Sequence, residues 1–116
     1  RDSQELAKID IEIADNTADI TQGLMYRPQM DEDRGMLFLM PSLEDQSFWM
    51  LNTKIPLDII FIGEDKRIIN VAANTTPGSL DPVSSTAPAL YVLEVNAGYA
   101  QRKELKAGDL LSWKRE

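Results

Sequence analysis

LDIIFIGEDKRIINVA, residues 57–72, decides how this chain folds. Its first six residues are apolar but for Asp58 and rich in β-branched and aromatic side chains, the composition of a buried strand. GEDK (63–66) is a short polar link, and RIINVA (67–72) resumes β-branched character at once. Two such runs joined so briefly read as a β-hairpin.

Strand signals continue on both sides of it. Upstream, SFWML (47–51) reads as a strand with NTKIP (52–56) as its turn, and GMLFLM (35–40) as a short strand stopped by Pro41. PSLEDQ (41–46) is a loop and MDEDRG (30–35) a polar turn. AKIDIEIAD (7–15) alternates strictly, with Ile9, Ile11 and Ile13 on one face and Asp10 and Glu12 on the other. That alternation predicts a half-buried antiparallel strand. NTADITQGLMYRP (16–28) predicts a short helix: Asn16 is placed to cap it, Ile20 and Leu24 share a face, and Pro28 forces an exit near Arg27.

Downstream, NTTPGSLDPVSSTAP (74–88) is a loop longer than most in small domains, and such loops are functional or mobile. ALYVLEV (89–95) returns to strand, NAGYAQRKEL (96–105) is a short capped helix, and LLSWK (110–114) a closing strand. With no repeat or linker, residues 1–116 read as a single globular domain. Its predicted class is α+β and β-dominated: a rolled-up, mostly antiparallel sheet or partial barrel with two short helices.

Composition narrows the functions. A net charge of -7 repels phosphate backbones, so nucleic acid is not an expected partner. No apolar run is long enough to form a transmembrane segment. The chain has 0 Cys and 0 His, which removes disulfides, thiolate and imidazole nucleophiles and Cys/His zinc sites. Arg1 in place of Met leads to the expectation of an upstream segment such as a signal peptide.

Five stretches in this order carry a family likeness: QGLMYR (22–27), RGMLFLMP (34–41), FWMLNTKIPLDIIFI (48–62), LEVNAG (93–98) and LKAGDLL (105–111). From about residue 16 onward the chain resembles the bacterial and archaeal domain of unknown function 192 family. That resemblance implies a small, mainly β domain, commonly preceded by an export signal or membrane anchor, and hence an extracytoplasmic, periplasmic or secreted, location. It implies no agreed biochemical activity.

Within that frame, several residues are candidates for a site. Asp58 shares a strand face with Ile60 and Ile62, so its carboxylate needs partners. Asn52 and Thr53 are close enough in sequence to serve. It reads as a structural acid pinning the turn, or as a carboxylate that contacts ligand. Glu94 falls on a face with Leu90 and Val92, and Arg27 is the cation expected beside it, as a structural pair or as part of a site. Asp58, Glu94 and Arg27 are thus the candidate catalytic residues of a hydrolase-like enzyme.

Trp49 follows Phe48, so on a strand one ring turns into the core and the other is free to stack on a sugar or peptide. The five methionines, Met25, Met30, Met36, Met40 and Met50, read as core gap-fillers rather than a Cu(I) site. The acidic turn at 31–35 lacks the alternating ligands of a calcium loop. No metal and no cofactor is expected. The favoured reading is a non-enzymatic module that binds an unidentified small-molecule, glycan or peptide ligand of the cell envelope. It uses a shallow groove at strand ends, with Trp49, Asn52, Thr53, Asp58 and Arg27 as ligand-binding candidates and the 74–88 loop bordering it. The alternatives are the enzyme just described and a structural or protein-partner domain.

Overall fold

The computed structural model describes residues 7–114; the ends of the expected domain, 1–6 and 115–116, lie outside them. In chain order the elements are β1 (Asp10–Ala14), α1 (Thr17–Gln22), β2 (Arg34–Glu44), β3 (Ser47–Phe48), β4 (Leu57–Ile62), β5 (Ile68–Ala72), β6 (Val83–Ser84), β7 (Ala89–Asn96) and α2 (Tyr99–Arg102). Five strands form one sheet in the order β1-β2-β7-β4-β5, and β3 and β6 pair separately. The sheet is mostly antiparallel and open, with β1 and β5 as its edges, so it does not close into a barrel. The β-dominated α+β class is the one the sequence predicts. Among the described residues no helix is long and apolar enough to cross a membrane.

The hairpin at 57–72 forms as read, with β4 and β5 antiparallel around the link after Ile62. All six residues of β4 are buried, because β5 and β7 flank it and both of its faces are covered. One face presents Leu57, Ile59 and Phe61, which pack with Met36, Phe38 and Val92 and with Leu24, Met50 and Ile55 from the segments above. The other presents Ile60 and Ile62, packed with Leu37, Leu93, Val95 and Tyr99, and with Leu105, Leu111 and Trp113 at its rim. Each large side chain fully buried this way contributes about 2 kcal/mol of transfer free energy. Met36 and Met50 are core residues of the first face, with Met30 and Met40 packed against it, so four of the five methionines do serve as gap-fillers.

The expected elements differ from the observed ones in five places. β1 pairs with β2 in parallel, Ile11 opposite Gly35 and Ile13 opposite Leu37. The connection through α1 crosses back to the end where β1 began, as parallel pairing requires. β2 does not stop at Pro41 but runs to Glu44, and its register against β7 shifts between Leu39 and Glu44. Proline is tolerated there because the ladder is already interrupted. α1 is capped as predicted, Asn16 Oδ1 accepting the Asp19 N–H at 2.9 Å, yet it ends at Gly23 rather than near Arg27. Gly23 takes φ +50, and a Cβ there would press on the Phe38 ring at 3.2 Å.

The fourth and fifth differences concern strand length. SFWML shrinks to the two residues of β3, and the chain turns immediately after Trp49 and Met50. LLSWK makes one isolated bridge, Leu110 to Arg67, in place of a closing strand. The 74–88 segment carries β6 and is pinned to its neighbours. Thr75 N–H donates to Leu57 O at 2.9 Å, Gly78 N–H to Met50 O at 3.1 Å, and Ser85 N–H to Gln46 O at 2.9 Å.

Gly35 marks the tightest approach inside the sheet. A Cβ there would lie 2.8 Å from the Glu94 carbonyl oxygen and 3.0 Å from Val95 Cγ1. Backbone cannot retreat as a flexible side chain can, so Gly35→Ala is expected to cost about 2 kcal/mol or more of unfolding free energy. Urea denaturation measures it, and a loss under about 0.5 kcal/mol would mean that the β2–β7 pair yields freely.

Candidate functional site

Asp58 sits on β4 with no exposed surface. Its Oδ1 accepts the Asn74 N–H at 2.9 Å, and its Oδ2 accepts the Gly98 N–H at 3.1 Å and the Ala100 N–H at 2.9 Å. Gly98 is the N-cap of α2 and has no side chain to cap with, so a carboxylate from a distant strand fills that role. The donors are therefore backbone groups of the chain after β5 and after β7, not Asn52 and Thr53. Asp58 is a structural acid with its acceptors occupied.

Glu94 lies on the opposite face. In the β4–β7 register Asp58 stands against Val95 while Glu94 stands against Ile59, and across β2 Glu94 faces Met36. The two acids of the hydrolase-like reading are thus separated by the sheet. Glu94 is 5% exposed, and among the described residues its carboxyl has no hydrogen-bond or ion-pair partner. Burial without a partner penalises the charged form and pushes the carboxyl up to about 8. Its Oε1 would be 3.9 Å from a Cβ at Gly23, and Gly23 lines a cleft of about 180 Å³.

Arg27 lines that cleft but does not pair with Glu94 as expected. Its Nη1 and Nη2 donate to Glu12 Oε2 at 2.5 Å and Oε1 at 2.8 Å. The fork geometry suits a carboxylate, and Glu12 on the neighbouring edge strand reaches it first. The Arg27 hydrogen bonds hold the Glu12 carboxyl below its ordinary range, and Glu12 in turn raises Arg27. Alternation had assigned Glu12 only to the solvent face of its strand. The cleft also takes in Asp19, Gln22, Gly23 and Met36, of which Gly23 and Met36 approach Glu94.

The aromatic pair behaves as its alternation predicts. Phe48 stacks edge-on between Phe38, at 5.1 Å, and Phe61, at 6.1 Å, while Trp49 turns outward and is 51% exposed. Trp49 borders a second depression of about 210 Å³ with Ser47, Phe48, Leu80 and Pro82. Leu80 and Pro82 come from the 74–88 loop, so the loop does border the groove, and Leu80 is 63% exposed. Only the bare Leu-Asp-Pro run in an otherwise polar loop could have marked them in the sequence.

Asn52 and Thr53 are not at this groove. Thr53 is buried and its hydroxyl donates to Leu51 O at 3.3 Å. Asn52 Nδ2 donates to the Tyr26 hydroxyl at 2.9 Å, while the Tyr26 N–H donates to Asn52 O at 2.8 Å. Trp113 packs at the rim of the second cluster: its ring meets Tyr91 at 4.8 Å and Lys66 Nζ lies 4.6 Å from its centre. Of the five ligand-binding candidates, Trp49 lines the groove and Arg27 the cleft. Asp58 and Thr53 are internal, and Asn52 belongs to a contact between loops.

Two outcomes separate the acids experimentally. Asp58→Ala leaves three backbone N–H groups without an acceptor and is expected to cost at least about 3 kcal/mol in a denaturation experiment. Glu94 acts through pH. Its folded-state value of about 8 lies above the ordinary 4.5, so the folded chain holds this proton longer than the unfolded chain does. Stability is unaffected below the unfolded value and falls as pH rises toward the folded one. Glu94→Gln removes that slope, so the variant should gain on the parent chain by on the order of 3 kcal/mol between about pH 5 and about pH 8. Parallel curves across that window would mean that the carboxyl is hydrated.

Comparison with known proteins follows the fold closely. A solved protein of unknown function from Novosphingobium aromaticivorans is similar at 43% identity with a TM-score of 0.88, over 90% of this chain and 75% of that one. A proposed transcription regulator from Sinorhizobium meliloti is similar at 41% identity with a TM-score of 0.85, over 88% of this chain and 79% of that one. No curated protein matches. The family model described as an uncharacterized ACR matches residues 1–113, further than the motifs alone reach; the chain belongs to the domain of unknown function 192 (DUF192) family.

Proposed function

We propose that this domain is a non-enzymatic, extracytoplasmic binding module for a cell-envelope glycan or peptide, which it holds on the groove beside Trp49. The observation that carries the reading is an indole half open to solvent, set between Ser47 and the loop residues Leu80 and Pro82. A rigid aromatic face beside apolar walls is what stacking on a sugar ring or an extended peptide requires. The groove lining carries no charged side chain among the described residues, which suits a neutral ligand. The loop supplying one wall is hydrogen-bonded to the segment bearing Trp49, through Met50 N–H to Ser79 O at 3.0 Å, so the groove is organised before any ligand arrives.

The hydrolase-like alternative required Asp58, Glu94 and Arg27 to act together. Asp58 is occupied by three donors on the far face and Arg27 is committed to Glu12, which leaves Glu94 without a catalytic partner. Regulation of transcription is a description of the Sinorhizobium protein, and a chain of net charge -7 offers DNA no electrostatic footing. The extracytoplasmic setting rests on the resemblance of the motifs.

Thermal shift against soluble envelope oligosaccharides and short peptides tests the reading. A ligand present at about a hundred times its dissociation constant adds about 2.7 kcal/mol of stability. Trp49→Ala should abolish that gain while lowering the unliganded stability by no more than about 1 kcal/mol, since the ring is half exposed. A variant that keeps the ligand shift, or that unfolds outright, would remove Trp49 from the site.

A further inference from the structure

Glu94 is a buried acid outside the Trp49 groove, and among the described residues its carboxyl has no hydrogen-bond or ion-pair partner. Its neighbours Gly23 and Met36 line a separate cleft of about 180 Å³ whose lining shares no residue with the groove. That is below the ~300 Å³ at which pockets begin to hold drug-sized ligands, so the cleft suits one functional group and a short stem. The charged groups around it are Glu12 on β1, Asp19 on α1 and Arg27 after α1. The strands beside Glu94 present Met36, Phe38 and Ile59, which carry no charge.

Two carboxyl groups, Glu12 and Asp19, line the cleft with one guanidinium, which gives both of its terminal nitrogens to Glu12, and Glu94 lies behind Gly23 and Met36. Asp19 Oδ2 accepts from Asn16 Nδ2 at 2.8 Å, which is a neutral donor and leaves its charge in place. The balance favours a cation. A metal ion is a poor fit, because the described residues contain no group of three or more Asp, Glu, His or Cys placed to hold one. An organic ammonium fits better. It offers three N–H donors and no acceptor to carboxyl groups, and its alkyl stem can lie on Ala14 and Met36.

We propose that this cleft binds the primary ammonium group of a small amine or a lysine side chain, with Glu94, nine-tenths buried and unpartnered, as its counter-ion. Binding forms an ion pair and no covalent bond. Glu94 releases its proton to solvent and the carboxylate takes the ammonium in exchange. The amine stays charged throughout, because alkylammonium groups titrate near pH ~10. Affinity therefore rises about tenfold per pH unit until pH approaches the Glu94 value of about 8, then levels off.

Calorimetric titration of the chain with n-butylammonium chloride and with Nα-acetyl-lysine amide tests this, run in buffers of different ionisation enthalpy to count protons. Saturable binding with one proton released per amine near pH 6 to 7, lost at least tenfold in Glu94→Gln, is the expected result. Binding by both probes identifies a site for free amines, and binding by the lysine derivative alone a site for side chains. Absence of saturable heat, binding untouched by Glu94→Gln, no proton release, or a response to sodium acetate in place of the amines would each overturn the proposal. The ¹³C shift of the Glu94 carboxyl in the unaltered chain gives a variant-free check: it should move to the ionised value on adding n-butylammonium at pH ~7, and a static signal counts against the site. Trp49→Ala should leave amine binding intact; its loss would place the amine in the groove instead.

Discussion

A single buried carboxylate holds together three parts of this fold that are far apart in sequence. Asp58 lies in the middle of the most apolar strand, where an unpaired acid would be too costly to keep. The three N–H groups that satisfy it come from Asn74, where the chain leaves β5, and from Gly98 and Ala100, where it leaves β7. The same contacts start α2, a helix of one turn that has no side-chain cap of its own. They also set the root of the 74–88 loop, which Thr75 then ties to Leu57 and Gly78 to Met50 and Thr53. One wall of the Trp49 groove, Leu80 and Pro82, belongs to that same loop. Order at the groove is thus inherited from an acid that never touches it.

Asp58 and Glu94 show how little separates a structural acid from a chemically poised one. Both sit in central strands among aliphatic neighbours, and both are almost wholly buried. A one-residue offset in the β4–β7 register puts them on opposite faces. On one face the chain turns back and presents three donors. On the other, α1 has ended at Gly23, which lines a cleft, and among the described residues no donor reaches Glu94. The first carboxylate is satisfied in place. The second retains its proton into the neutral range and is available for exchange with a cation.

Much of this was legible because alternation and turn chemistry are local. The hairpin at 57–72, the cap at Asn16, the division of Leu90, Val92 and Glu94 from Tyr91, Leu93 and Val95, and the opposite facing of Phe48 and Trp49 all follow from a few adjacent residues. What failed was non-local. An alternating edge strand looks the same whether its partner runs parallel or antiparallel, so the crossover of β1 could not be read from Ile9 to Ile13. Pro41 lies in a strand because the register against β7 is broken there, a property of the pair rather than of the tripeptide. Arg27 found Glu12 rather than Glu94 because the parallel pairing brings β1 beside it. Leu80 and Pro82 became groove walls through backbone contacts that no pattern in the loop announces.

Asn52 and Tyr26 complete the account, since neither is a ligand contact and both adopt a backbone that side chains resist. Tyr26 has φ +69 and Asn52 φ +55, and each such residue costs about 1–3 kcal/mol. Each gives the other a hydrogen bond, backbone to backbone and side chain to side chain. Two bonds at about 1 kcal/mol each offset only part of that strain. The remainder is carried by packing, because Leu24 and Met50, two residues before each of them, are both buried in the same apolar cluster. Those two anchors fix where the turns must go, and the turns then meet. The segment that leads into Arg27 is in this way clasped to the segment that follows Trp49, so the cleft and the groove are carried on one tied backbone unit. Glycine at position 52 would relieve its share of the strain and delete the side-chain half of the clasp, which is the physical reason an asparagine suits that turn.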